Sequence, residues 1–122
     1  MKRDFDLVRK ILLEIEAAPI EVTNFSFNTL EGYDDMAVVN EHIDLLIDAG
    51  LVKGAVMRGL SGIVAVSIQG LTWKGYDFID AAKDDSIWTK AKETVLKPTV
   101  AITFGLLLDW LKQEAKMKLG LP

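Results

Sequence analysis

Apolar and polar positions along the 122-residue chain change period at definable points, and each change predicts an element. In "DFDLVRKILLEIEAAP" the apolar residues Phe5, Val8, Leu12 and Ile15 recur every three or four positions, which predicts an amphipathic helix stopped by Pro19. "IEVTNFSFN", residues 20–28, alternates with period two and is rich in β-branched and aromatic side chains, so it reads as a short strand running into a turn at Glu31-Gly32. The helical period returns in "DDMAVVNEHIDLLIDAG". There Met36, Val39, Ile43, Leu46 and Ile47 form one stripe, Asp34 or Asp35 is placed to cap the start, and Gly50 to close the end. "LVKGAVMR" and "IVAVSIQG" then flank "GLSG", the pattern of a β-hairpin around a glycine turn.

After the hairpin, "LTWKGYDFIDAAKDD" predicts a helix capped by Thr72, with Tyr76, Ile79 and Ala82 or Lys83 on successive turns. "SIWTKAKETVLK" either extends that helix or follows a bend near Asp84-Asp85, and Pro98 precedes a last helix with a seam of Val100, Phe104, Leu107 and Leu111. The order predicts an α+β, mainly helical chain: a winged helix-turn-helix-like domain with a two-stranded wing over residues 1–97, and a C-terminal helical extension over 98–122. Little room is left before Asp34 for the first helix of the usual helix-turn-helix pair. Either that helix is reduced to a turn around Tyr33–Met36, or the pair is cut differently.

The net charge of −4 is unevenly spread. Residues 20–50 hold seven acids and no Lys or Arg, whereas residues 51–75 hold Lys53, Arg58 and Lys74 and no acid. The helix in the position of a recognition helix therefore lies in the acidic block, and the wing in the basic one. Cysteine is absent, which excludes disulfides and thiolate metal sites and fits a reducing, cytoplasmic setting. The charged start "MKRDFDLVRK" is no secretory signal, and the uncharged run 98–108 is far shorter than the roughly 20 residues needed to cross a bilayer. No membrane association is expected.

Four stretches, "MKRDFDLVRKILLEIE", "HIDLLIDAGLV", "LTWKGYDFIDAAKDDSIWTKAKE" and "KMKLGL", together resemble an uncharacterised family of bacterial and prophage proteins, the domain of unknown function numbered 2513. That resemblance implies a small intracellular protein, often phage-linked and of winged-helix character, and brings no catalytic residues. Ala49-Gly50-Leu51-Val52 and Leu71-Thr72 with Gly75 are separately similar to winged-helix transcription regulators. Their physical sense is structural, since Gly50 permits a tight exit into a strand and Gly75 a close approach of helix to sheet.

Two functional readings come from these patterns. In the first, a transcription-regulatory factor contacts duplex DNA through Lys53, Arg58 and Lys74 on and beside the hairpin, because affinity for phosphates comes from Lys and Arg. The helix at 34–49 is poorly suited to DNA, because Asp34, Asp35, Glu41, Asp44 and Asp48 would each face the negative field of a major groove. In the second, those five carboxylates meet a basic protein partner and no DNA is bound.

An enzyme is not expected. One histidine, His42, and no cysteine rule out a His/Cys nucleophile pair or a multi-histidine metal site within one chain, and no cofactor is implied. His42, next to core-facing Ile43, is expected at the surface or its boundary. Trp73, Trp88 and Trp110 lie in or beside apolar helical seams and read as core or interface. The last helix is apolar on more than one face, so Val100, Phe104, Leu107, Leu108 and Leu111 are the candidates for a homodimer interface.

Overall fold

The computed structural model describes residues 1–22 and 24–120; Thr23, inside the expected strand, and Leu121 and Pro122, at the end of the expected C-terminal element, lie outside the described residues. The element order is α1 (Phe5–Ala17), α2 (Met36–Asp48), β1 (Val52–Gly59), β2 (Gly62–Leu71), α3 (Trp73–Ala82), α4 (Asp85–Thr94) and α5 (Phe104–Lys118). The chain is α+β, with five helices and one antiparallel two-stranded sheet among the described residues, an arrangement compatible with a winged-helix-like frame. It divides into two compact units, Met1–Tyr76 and Asp77–Pro122.

In the first unit, α1 begins where Asp4 accepts a hydrogen bond from the Leu7 amide at 3.2 Å, and ends at Ala18, held extended before Pro19. It buries Leu7, Val8, Ile11, Leu12 and Ile15, a wider stripe than the four-residue pattern indicated. Helix α2 is capped by Asp35, whose Oδ1 accepts from the Ala37 amide at 3.0 Å, and it buries Val39, His42, Ile43 and Leu46. Gly50 closes it at φ +80°, a conformation that is strained for any residue with a Cβ. The hairpin pairs Val52 with Leu71 through to Gly59 with Gly62, with register shifts between Lys53 and Gly54 and between Met57 and Arg58. Thr72 ties the hairpin to the next helix: its hydroxyl donates to the Gly50 carbonyl at 2.5 Å and accepts from the Gly75 amide at 3.0 Å. A Cβ on Gly75 would overlap the Leu51 carbonyl, so this contact admits only glycine without rearrangement.

The strand expected over residues 20–28 does not form among the described residues. What remains is one bridge, in which Phe25 and Ile68 exchange backbone hydrogen bonds of 3.0 and 2.7 Å. Asn24, at φ 53°, turns the chain out of the extended region immediately before that bridge. Between the bridge and α2 the described residues form turns rather than a helix, with the Tyr33 amide bonded to the Leu30 carbonyl at 3.0 Å.

In the second unit, Asp84 accepts from the amides of Ser86 and Ile87 at 2.9 and 3.1 Å, so the chain bends there and restarts as α4. Phe78 is fully buried, edge-to-face against Trp88 at 6.4 Å and stacked on Phe104 at 5.0 Å. Helix α5 starts later than Pro98 indicated, because Thr103 caps it by accepting from the Leu106 amide at 3.2 Å. No helix among the described residues is long and apolar enough to cross a membrane.

Candidate functional site

The chemistry-bearing residues singled out in the sequence gather on α2 and the wing. Arg58, opposite the register shift at which β2 carries the extra residue Val64, turns its guanidinium onto the acidic helix. Its terminal nitrogens lie 3.5 and 3.4 Å from the two carboxylate oxygens of Glu41, and one of them also bonds the Asp44 carboxylate. A planar guanidinium fork can serve two acceptors at once. These hydrogen bonds, to Glu41 first and Asp44 second, raise the Arg58 pKa above its ordinary value.

Lys74 approaches the same helix from its other end, with Nζ 3.4 Å from the carbonyl of Ala49, where a cation meets the negative end of the helix dipole. Lys53 stands exposed on β1. Two of the three basic residues expected to contact phosphate are therefore engaged by α2. On the acidic side, Asp34, Asp35 and Asp48 are exposed, whereas Glu41 and Asp44 are half-buried under Arg58.

The wing tip carries a feature that charge patterning did not reveal. Leu60 is fully exposed in the two-residue turn, with Met57 at 64% and Val64 at 68% exposure beside it. The tip is apolar rather than basic. Trp73, read from the sequence as core or interface, is 84% exposed at the start of α3, with Tyr76 one turn further on, while Trp88 is buried. A cleft of about 250 Å³ lies between the end of α1 and β2, lined by Ile15, Glu16, Phe25, Gln69 and Tyr76 among others.

His42, expected at the surface or its boundary, is instead completely buried, and both ring nitrogens are committed. The Asp4 amide donates to Nε2 at 2.9 Å, so the ring proton sits on Nδ1, which lies 2.8 Å from the Val38 carbonyl and donates to it. His42 thereby fastens the start of α1 to α2. Close by, Tyr33 has its pKa raised, by burial first and then by the charges of Asp4 and Asp6. Among the described residues no group of three or more His, Cys, Asp or Glu could hold a metal ion.

The residues proposed for a dimer seam are placed differently from the sequence reading. Leu107, Leu108 and Leu111 are buried within the chain, and Phe104 stacks on Phe78. Val100 precedes α5 and is 41% exposed, and the apolar residues that α5 leaves to solvent are Leu106 and Met117. The seam is thus core, which is also why the helix looked apolar on more than one face.

Comparison with known proteins adds relatives without a stated activity. The profile of the family described as "Hypothetical protein (DUF2513)" matches residues 2–101. A Haemophilus influenzae protein described as "Uncharacterized protein" is 30% identical over 116 residues, covering 95% of this chain and 93% of its own. No solved structure matches. With a family match across most of its length and a relative of nearly the same extent, the chain belongs to the DUF2513 family.

Proposed function

We propose that this chain is a protein-interaction module whose acidic α2 and apolar wing tip meet a basic protein partner, and that it binds no DNA through these elements. In this reading it is not an enzyme. The observation that carries it is the engagement of Arg58 by Glu41 and Asp44: the one arginine on the wing neutralises the chain's own carboxylates, where a DNA-binding wing would offer it to phosphate. Asp34, Asp35 and Asp48 leave a surplus of negative charge in the open, which steers basic surfaces toward this face and repels a phosphate backbone. Leu60, Met57 and Val64 supply apolar contact that a nucleic-acid wing does not need.

The rival reading, a DNA-binding regulator that works through Lys53, Arg58 and Lys74, is favoured by the winged-helix-like frame and by the exposure of Lys53. Frame alone does not dictate function. A photocrosslinking side chain placed at position 48 separates the two readings in cells. Capture of a protein through a Lys- or Arg-rich surface is expected, and crosslinks confined to DNA, or none at all, would overturn the proposal.

A further inference from the structure

The second unit holds a groove of about 350 Å³ between α3 and α5, and its two walls carry opposite charge. Asp77 and Asp80 line the α3 side; Lys112 and Lys116 line the α5 side. The floor is formed by two small residues, Ala81 and Ala115, and at the end of α5 the exposed Leu119 completes the lining, 74% open to solvent. On α5 the positions 112, 115, 116 and 119 follow the three- and four-residue spacing of a single helix face.

We infer that this groove is the contact between two copies of the chain, related by a two-fold axis. In such a contact each patch meets itself, so residue i touches residue j and j touches i. A groove with one acidic and one basic wall fulfils that condition, because a half-turn sets Asp77 and Asp80 of each copy against Lys112 and Lys116 of the other. Leu119, at the end of the groove, is then set beside Leu119 of the other copy, and the two exclude water from each other. Asp77–Pro122 carries seven Lys and seven Asp or Glu, so no net charge on this unit opposes the approach of its duplicate.

The existing pairs of Lys112 with Asp77, at 3.7 Å, and of Lys83 with Asp80, at 3.3 Å, are exposed on both sides and exchange for equivalent pairs across the axis at little cost. The charges therefore set orientation, and burial of Leu119 supplies affinity. The contact thus lies on the outer face of α3 and α5, and Leu107, Leu108 and Leu111 stay in the core.

Sedimentation equilibrium of the full chain at high micromolar concentration tests this inference. The wild type is expected to approach dimer mass. Asp77→Lys with Asp80→Lys in one variant, and Lys112→Glu with Lys116→Glu in another, are each expected to be monomeric, and to recover dimer mass when mixed one to one. Leu119→Glu changes only an exposed side chain and is expected to be monomeric with an unchanged circular dichroism spectrum, which covers the case in which a charge variant fails to fold. A monomeric wild type, a Leu119→Glu variant that stays dimeric, or two folded charge variants that do not associate on mixing would each overturn the groove as a self-association surface. None of these outcomes bears on whether the first unit meets a basic partner.

Discussion

The two compact units differ in what their charges do. Met1–Tyr76 has eleven acids against seven bases, a net of −4, and Asp77–Pro122 has seven of each. In the first unit the surplus is concentrated on α2, and Arg58 and Lys74 are drawn onto that helix. In the second, cations and anions link elements in matched pairs: Lys90 with Glu114 at 2.8 Å, Lys112 with Asp77, and Lys118 with Asp84. The contrast teaches that an arginine on a wing is informative only once its partner is known. Lys53, Arg58 and Lys74 support a DNA reading by position, whereas the contacts of Arg58 and Lys74 support the proposed protein-interaction reading.

The largest effect is expected in the second unit, where the fully buried Phe78 ring joins two aromatic neighbours. Phe78→Ala removes the side chain that touches both Trp88 and Phe104, and should cost about 3–5 kcal/mol in a denaturant titration. If the loss were below about 1 kcal/mol, Phe78 would not hold the core described for this unit. In the first unit, His42→Phe keeps a ring in the buried site and removes the acceptor for the Asp4 amide. A loss of about 1–3 kcal/mol is expected, with earlier amide exchange at the start of α1. Unchanged exchange there would show that His42 does not fasten the two helices.

Lys118 first, then Ser86 and the Ile87 amide, hold the Asp84 carboxylate well below its ordinary value of 3.8. Because the folded-state value is the lower one, the stabilisation from ionised Asp84 is complete above 3.8 and is lost as pH falls below it. Asp84→Asn preserves a cap and removes the charge, so the difference between wild type and variant should be present at neutral pH and shrink below pH 3.8. A difference independent of pH would mean that the cap alone, not the ion pair with Lys118, joins α4 to α5. The smallest effect belongs to Arg58→Gln: an exposed ion pair contributes little to stability, so its unfolding midpoint should match wild type, while backbone NMR signals of Glu41 and Asp44 shift.

Most of the frame was legible in the sequence because it rests on local pattern. The helices at 5–17, 36–48, 73–82 and 104–118, the hairpin around Leu60-Ser61 and the roles of Gly50 and Gly75 follow from periodicity, capping residues and glycine, whereas the pattern left a continuous helix and a bend near Asp84 equally open until the Asp84 cap decided for the bend. The strand over 20–28 failed because a period-two pattern reports side-chain alternation and says nothing of the left-handed backbone at Asn24. His42 could have been placed in the core: it lies three residues after Val39 and four before Leu46, on the buried stripe itself. The pairing of Arg58 with Glu41 and Asp44 was out of reach, since it spans 17 and 14 residues and depends on a register shift that no composition encodes. The apolar wing tip was present as letters, but a hairpin pattern does not tell which of its hydrophobic residues face solvent.

That the wing arginine serves the acidic helix rather than phosphate is tested most directly by fluorescence anisotropy with random-sequence duplex DNA at low salt, where nonspecific electrostatic binding is strongest. The wild-type chain at micromolar concentration should leave the anisotropy of the duplex unchanged. Saturable binding that is abolished by Arg58→Glu would contradict this assignment and place the wing on DNA.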